Sequence, residues 1–304
     1  MTEINRRAFL ASGVGSAVCL GNSVAAEEPG RAPPVPPRVP LGRTGITMSR
    51  LGQGTGVHGG NRQSDQTRMG FERLVPLFRH AYDRGITFFD LADLYGTHIY
   101  FREALRKIPR ERVTILTKLW WRYDNPAEPV AEPHLRRVAA STLERFRHEL
   151  NTDYIDIVLL HCMSSATWDR HLRPYMDALS EAKEKKQVRA VGVSCHDLGA
   201  LNRAAEVGWL DVVLARINPR GALMDGATKE VTAALRRIKD RGKAVIGMKI
   251  FGEGDLINQR DQCMRFAQGL GLLDAMTIGF GRPGEIDDTL GLLSRHPAAR
   301  IVGS

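Results

Sequence analysis

The sequence lacks the features that mark several classes of protein. Its 304 residues include four cysteines, with no CxxC pair and no metal-ligand spacing. This argues against a disulfide framework or a zinc site, and we expect no bound metal. Lysine and arginine are scattered among acidic residues, without a basic run or an aromatic-interleaved stripe. The net charge of +9 therefore indicates a solvated surface, and not a nucleic-acid-binding protein.

Long apolar runs are also missing. The stretch Ala8–Leu20 is well below the ~20 residues that span a bilayer, and no later segment reaches that length. It follows the pair Arg6-Arg7 and precedes Val24-Ala25-Ala26. This pattern predicts a cleavable twin-arginine signal over residues 1–26. We therefore expect the twin-arginine export machinery as a partner, a periplasmic location, and no stable membrane insertion of the mature protein.

The rest of the chain divides into a linker and one large domain. Residues 27–40 hold a cluster of prolines and are predicted to form an extended linker. From residue 41 to 304, eight short apolar runs alternate with segments of helical periodicity. This alternation predicts a single α/β domain, a (β/α)8 TIM barrel. An open doubly wound sheet is the alternative, made less favourable because no GxGxxG motif follows any of these runs.

One stretch, from Gly85 to Lys118, brings an acid, a phenol and an amine together. Asp90 ends one predicted strand, Lys118 ends the next, and Tyr95 lies in the loop between them. Parallel strands place Asp90 and Lys118 at the same edge of the sheet. A phenol has a pKa of about 10, which a neighbouring ammonium lowers. We therefore predict that Lys118, kept charged by Asp90, makes Tyr95 a proton donor.

The later strands end in polar or glycine-rich turns. They include Phe251-Gly252-Glu253-Gly254 and Gly279-Phe280-Gly281-Arg282. Backbone N–H groups in such turns can hold phosphates, although glycine is also what a tight turn needs. Together with Arg282 they favour a dinucleotide.

These residues resemble the aldo-keto reductase family from Pro40 to about Leu293. The matching motifs are PLGRTG at the opening hairpin, FDLADLYG, LTK and LLH. The resemblance implies a catalytic tetrad of Asp90, Tyr95, Lys118 and His161. It also implies reduction of an aldehyde or ketone by a nicotinamide, usually NADPH, with Tyr95 as general acid and His161 orienting the carbonyl.

The cofactor contacts that the resemblance implies depart from the family pattern. Ser194-Cys195-His196 stands where many members have Ser-Asn for the carboxamide, so Cys195 or His196 must stand in or the contact is lost. Ile217 replaces a stacking tyrosine before Asn218. Glu285 and Asp288 stand at positions that many members use to bind the 2′-phosphate of NADP, so either Arg282 supplies the missing charge or the enzyme prefers NADH. The expected contacts are Thr55, Ser194, Cys195, Asn218, Phe251, Gly254, Arg282 and Asp288.

The substrate is expected to be a small carbonyl compound or alcohol, possibly a sugar derivative, contacted by Trp120 and Trp121; simple packing of the two tryptophans is the alternative. We expect a monomer. Two other functions stay open: a non-catalytic nicotinamide-binding sensor on the same fold, and a lyase with Lys118 as a Schiff-base amine. Because the periplasm lacks a pool of reduced cofactor, we also expect the exported protein to hold its nicotinamide tightly.

Overall fold

A closed barrel of eight parallel strands forms the centre of the molecule. The computed structural model describes residues 34–121 and 131–301. Around the barrel the strands run in chain order, and the last pairs with the first. They are β3 (Leu51–Gly54), β4 (Phe88–Asp90), β5 (Thr114–Leu119), β6 (Ile155–Met163), β7 (Val188–Cys195), β8 (Val212–Arg216), β9 (Ala244–Met248) and β10 (Ala275–Gly279). The predicted (β/α)8 barrel is confirmed.

Alternation along the strands produces two apolar layers. On β5, for example, Leu116 faces the barrel interior, and Ile115 faces the surrounding helices. Leu159 and Leu214 fill the interior with it, and all four side chains are fully buried. Because successive side chains on a strand point to opposite faces, each apolar run supplies both layers.

The helices lie around the barrel, between the strands, as the alternation predicts. Two four-residue helices, α1 and α5, were not predicted, since they are too short to show a helical period. The helices are α1 (Asp65–Arg68), α2 (Phe71–Asp83), α3 (His98–Leu105), α4 (Glu132–Leu150), α5 (Trp168–His171), α6 (Arg173–Glu184), α7 (Leu198–Glu206), α8 (Thr228–Asp240), α9 (Arg260–Gly269) and α10 (Pro283–Arg295). None of these helices is both long and apolar enough to cross a lipid bilayer.

A two-stranded ribbon, β1 (Arg38–Pro40) with β2 (Thr47–Ser49), precedes the barrel. The predicted linker was therefore drawn too long, because its last three residues are a paired strand. Proline is tolerated there, since a two-stranded ribbon has only edge strands. The predicted signal and the start of the linker lie outside the described residues.

Candidate active site

The four predicted catalytic side chains meet at the carboxyl-terminal end of the barrel. Asp90 is the last residue of β4, and Lys118 and His161 lie near the ends of β5 and β6. The Lys118 ammonium donates to Asp90 Oδ1 and, at 3.0 Å, to the carbonyl oxygen of Leu91. The Tyr95 hydroxyl lies 3.3 Å from His161 Nε2. The structure thus brings together the acid, the phenol, the amine and the imidazole.

Lys118 acts on Tyr95 differently from the prediction. Its Nζ lies 4.9 Å from the centroid of the Tyr95 ring, over the face of the ring. Burial, followed by the negative charge of Asp90, raises the pKa of Tyr95 well above the ordinary phenol value. The prediction of a lowered pKa was wrong, because the phenol is cut off from water and burial, the largest effect, disfavours the phenolate. Tyr95 therefore stays protonated at neutral pH, which is the state that a proton donor requires.

The Tyr95 ring is held between two glycines of the loop that follows β3. A Cβ atom at Gly56 would collide with Cζ of the ring, and one at Gly59 would collide with its opposite edge. Both positions therefore require glycine, because the backbone approaches the ring more closely than any side chain allows. The loop fixes the ring in a plane from which its hydroxyl reaches His161.

His161 is a neutral imidazole. It is 2% exposed, and burial, followed by the nearby charges of Lys118 and His196, lowers its pKa well below the ordinary value. Its Nδ1 has no hydrogen-bond partner among the described residues. Placing the ring proton on Nε2 avoids burying an N–H group without an acceptor. That tautomer directs a donor toward the Tyr95 hydroxyl and toward any oxygen bound beside it.

The two predicted substrate tryptophans contact His161. Trp120 meets the imidazole edge-on, with ring centroids 5.6 Å apart, and Trp121 Nε1 donates to the His161 carbonyl at 3.0 Å. Both are partly buried. They support His161 from the side of β5, and a substrate contact remains a prediction.

A cavity of about 490 Å³ opens beside the tetrad. It extends from Tyr95 and His161 across the ends of β3, β9 and β10 to the start of α10. Of the predicted cofactor residues, Phe251 and Gly254 line it. His196, one of the two candidates for the carboxamide contact, also lines it, as do His58, Asp65, Gln66, Cys162, Lys249, Glu253 and Glu285.

The end of β7 decides which residue of Ser194-Cys195-His196 faces the cavity. Cys195 is fully buried in the layer between barrel and helices, and burial raises the pKa of its thiol. Ser194 is also buried, and its Oγ accepts from the Cys162 backbone N–H at 2.9 Å. His196 lines the cavity, with its Nε2 3.5 Å from Cys162 Sγ. Of the two residues considered for the carboxamide contact, only His196 is therefore available to a bound ligand.

Two predicted cofactor contacts are fully engaged inside the protein. Thr55 is buried and its hydroxyl donates to the Asp90 carbonyl at 2.8 Å, which ties the end of β3 to the end of β4. The Asn218 amide donates to the carbonyls of Ala222 and Lys249 and accepts from two backbone N–H groups. Both residues therefore stabilise the backbone next to the cavity, and neither side chain is free to bind a cofactor.

The other two predicted contacts lie on the surface near α10. The Arg282 side chain is 76% exposed and pairs with Glu285 at 3.0 Å. Asp288 is 64% exposed and lies 3.6 Å from Arg260. Glu285 also accepts from the Gly281 backbone N–H at 2.8 Å, just before α10 begins. A carboxylate of the chain itself therefore occupies the amino-terminal end of this helix, where an anion is favoured.

The opposite wall of the cavity carries a second internal ion pair. Glu253 pairs with Lys249 and accepts from the His58 backbone N–H at 3.1 Å, so it joins the loops after β9 and β3. Lys249 and Glu253 both have positive φ angles, 57° and 56°, which are uncommon outside glycine. The glycine-rich sequence of this turn indicated a ligand site. It gave no indication that Glu253 in the turn pairs with Lys249 and with the His58 backbone.

The residues around the cavity fit a nicotinamide cofactor. A protonated phenol and a neutral imidazole stand at one end, His196 beside them, and glycine-rich turns line the rest. Within residues 34–121 and 131–301, no His, Cys, Asp and Glu side chains are grouped to hold a metal ion. Lys118 donates to a carboxylate and a carbonyl, as an ammonium does, which disfavours the Schiff-base alternative.

Comparison with known proteins agrees with this geometry. The chain is 29% identical over 196 residues to the NADH-specific methylglyoxal reductase of Escherichia coli (strain K12), covering 59% of this chain and 58% of that protein. It is 29% identical over 174 residues to the versiconal hemiacetal acetate reductase of Aspergillus parasiticus, covering 51% and 49%. The chain thus spans about half the length of the curated relatives it matches.

Solved structures share the fold. An aldo-keto reductase from Bacillus halodurans, in its holo form, superposes with a TM-score of 0.63 at 16% identity, covering 86% of this chain and 92% of that one. The model of the aldo/keto reductase family matches residues 50–268, which include the whole tetrad. On this match, the chain belongs to the aldo/keto reductase family.

Proposed function

We propose that the protein reduces the carbonyl group of a small aldehyde or ketone, sugar-derived carbonyls included, with a nicotinamide as hydride donor. The observation that carries the proposal is the 3.3 Å contact between the Tyr95 hydroxyl and His161 Nε2 at the end of the cavity. A carbonyl oxygen placed beside both groups has two donors within hydrogen-bond reach.

Each residue of the tetrad has a role in this reaction. A bound reduced nicotinamide would supply the hydride. His161, neutral, donates a hydrogen bond that orients the carbonyl oxygen. Tyr95 gives its proton to that oxygen as negative charge develops on it. The ammonium of Lys118, which lies over the ring, stabilises the resulting phenolate, and Asp90 keeps the ammonium charged.

The charges at α10 favour NADH over NADPH. The position at which many family members carry an arginine for the 2′-phosphate is Glu285, and its carboxylate holds the Gly281 N–H and Arg282. Asp287 and Asp288 add two carboxylates on the same helix, paired with Arg84 and Arg260 respectively. A 2′-phosphate bound here would be repelled by these carboxylates, and the Gly281 N–H that could bind it already donates to Glu285. The Escherichia coli relative named as NADH-specific supports this preference.

Tyr95→Phe tests the reaction. The variant keeps the ring between the two glycines but has no proton to give, so kcat for carbonyl reduction should fall by about 10²–10⁴-fold. Binding of NADH, followed by tryptophan fluorescence quenching, should change little. Measuring carbonyl reduction on a panel of methylglyoxal, other aldehydes and sugars identifies which of them the protein accepts. Cofactor binding without Tyr95-dependent turnover on any of them would favour the sensor alternative.

Glu285→Gln tests the cofactor preference. Removing one charge from the helix start should improve NADPH binding relative to NADH, by about tenfold if the charge acts through a partly desolvated site. The ratio of the two dissociation constants is the measurement. Asp240→Asn, at the far end of α8, removes the same charge away from the cavity and should leave the ratio unchanged. Equal ratios in all three proteins would contradict the preference.

Export adds a further proposal, supported only by the sequence signal over residues 1–26. We propose that the protein reaches the periplasm with its nicotinamide bound and cycles it between two substrates. Nucleotide should then co-purify with protein from the periplasmic fraction. A requirement for added NADH in every turnover would contradict this proposal.

A further inference from the structure

A buried carboxylate lies in the turn that carries Tyr95. Asp93 is two residues before it, with a side chain that is 0% exposed. Arg145 on α4 donates to both of its oxygens, at 3.0 and 2.8 Å, and Arg62 donates to one at 2.8 Å. Hydrogen bonds between charged partners are the strong class, and a two-pronged arginine fixes direction as well as distance. The start of the Tyr95 turn is therefore held from α4 and from the loop after β3.

The same arginines extend the contacts to the strand of Lys118. Glu149 accepts from Arg145 at 2.8 Å and from Arg62 at 2.9 Å. Its other oxygen accepts from His98 Nδ1 at 2.7 Å, and His98 Nε2 lies 2.7 Å from the hydroxyl of Thr117, the residue before Lys118. We call this set the Asp93 network; its members are Arg62, Asp93, His98, Thr117, Arg145 and Glu149.

The network is charged and tightly paired. Burial would raise the pKa of Glu149, but the hydrogen bonds and charges of His98 and Arg145 outweigh burial and lower it to about 2. Glycine at position 96 completes the packing, because a Cβ there would collide with the Arg62 carbonyl oxygen. The turn thus has charged contacts on one side of Tyr95 and a backbone contact on the other.

We infer that Arg145 and Glu149 are positioning residues for proton transfer, because the Asp93 network joins the turn of Tyr95 to the strand of Lys118. The inference rests on the proposed role of Tyr95 as the proton donor. Neither residue lines the cavity, so neither can contact a substrate there. Their effect passes through the placement of the Tyr95 hydroxyl relative to Lys118 and His161.

The molecule contains a matched control for Arg145. Arg203 on α7 also donates twice to one aspartate, Asp169, at 3.0 and 2.8 Å, and once to a glutamate, Glu206, at 2.7 Å. It therefore pairs with the same types of side chain, although it holds its aspartate through Nε and Nη2 where Arg145 uses Nη1 and Nη2. Arg203 does not line the cavity and contacts no residue of the tetrad.

The experiment compares Arg145→Gln with Arg203→Gln in the full chain. Misplacement of a reacting group by about 1 Å can cost 10²-fold, so we expect kcat of Arg145→Gln to fall about 10- to 100-fold, with KM for the carbonyl substrate little changed. Its solvent isotope effect on kcat should rise, since proton transfer becomes slower. Amide hydrogen exchange over residues 92–97 should speed up. Arg203→Gln should keep the wild-type kcat, isotope effect and exchange over 92–97.

Two results would overturn the inference: equal kcat in the two variants, or a lower kcat in Arg145→Gln with unchanged exchange over 92–97. Should Arg145→Gln fail to fold, Thr117→Val removes only the hydroxyl that links His98 to the strand of Lys118. It should lower kcat and raise the solvent isotope effect, and wild-type values for both would equally overturn the inference. A wild-type protein without reductase activity would instead defeat the proposed function, while the exchange measurements would still test the network.

Discussion

Two buried lysine–aspartate pairs stand at opposite ends of the barrel. At the carboxyl-terminal end, Lys118 and Asp90 are 1% and 8% exposed, and at the amino-terminal end Lys239 and Asp274 are 6% and 4% exposed. The Lys239 ammonium lies 2.8 Å from both oxygens of Asp274, one of which also accepts from the Val245 N–H. The chemical groups and their burial are nearly the same.

The two pairs differ in what lies beside them. Asp274 and Lys239 satisfy each other and the backbone, and neither lines the cavity. Asp90 borders the cavity, and Lys118 lies over a phenol whose hydroxyl faces it. We therefore propose that the Lys239–Asp274 pair is structural and the Lys118–Asp90 pair catalytic, because in a (β/α)8 barrel reactive groups collect where the strands end in loops.

The largest difference between the pairs should appear in turnover. Lys118→Met removes the cation that stabilises the phenolate of Tyr95, and we expect kcat to fall by at least about 10²-fold, the lower range of general acid catalysis. Lys239→Met makes the same chemical change at the other end and should leave kcat of the folded protein within about twofold. Steady-state kinetics on both variants, normalised to folded protein, measures this. Similar losses of kcat would break the comparison.

Loss of stability should accompany removal of the lysine at the amino-terminal end too, even though turnover is unchanged there. Lys239→Met leaves a buried Asp274 charge without its partner, which typically costs about 3–5 kcal/mol in the free energy of unfolding. Replacing both partners by apolar residues, Lys239→Met with Asp274→Leu, should recover part of that loss. Urea unfolding of the single and double variants is the measurement. A single variant as stable as the wild type would mean that the pair at this end contributes little.

Two buried imidazoles at the carboxyl-terminal end should also make stability depend on pH, and among the residues that the structure describes the other end has no such pair beside Lys239 and Asp274. Burial lowers the pKa of His161, and burial with the charges of Arg216 and Lys249 lowers that of His196 to about 3. Below the ordinary pKa of about 6.5, these two histidines bind protons in the unfolded chain, whereas in the folded protein they stay neutral. Stability is thus fully present above pH 6.5 and is lost toward pH 3, by up to about 1.4 kcal/mol per pH unit for each imidazole.

His196→Gln should remove the contribution of one of the two imidazoles, so the free energy of unfolding should fall less between pH 6.5 and 4 than it does in the wild type. Urea midpoints measured across that range for the variant and the wild type give the difference. His134→Gln, on the first turn of α4 and exposed, serves as the control. Identical slopes in all three proteins would show that His196 is protonated in the folded state.

The sequence predicted the parts that depend on local patterns. The alternation of strands and helices, and the expectation that Asp90, Tyr95 and Lys118 lie together, followed from short apolar runs and from the residues just after them, because a strand end and its loop are neighbours in the chain. The place of His161 in the tetrad came from the resemblance to the family. Whether Cys195 or His196 faces the cavity depends on where β7 stops, which apolar content alone does not define. The strand bulges between Leu160 and Met163, beside Cys162, and sequence gave no sign of it.

Other features depend on residues that are far apart in the chain. Arg62, Asp93 and Glu149 meet only when the barrel closes, so their spacing carries no signal. The predicted direction of the Tyr95 pKa shift was wrong. The shift depends mainly on how completely the fold excludes water from the phenol, and the neighbouring charges in the sequence do not reveal that. Asn218 matched a cofactor position, but its amide is used by backbone groups of its own loop and of the turn after β9.

The close approach of Gly56 and Gly59 to the Tyr95 ring limits how this protein can be altered. Loops beside an active site are the usual targets when an enzyme is engineered to accept larger substrates. Here the loop after β3 packs directly against the Tyr95 ring, so most substitutions at these two positions would displace the Tyr95 hydroxyl. Its neighbours Val57 and His58 also line the cavity. They are the positions at which the pocket can be reshaped while the ring keeps its place.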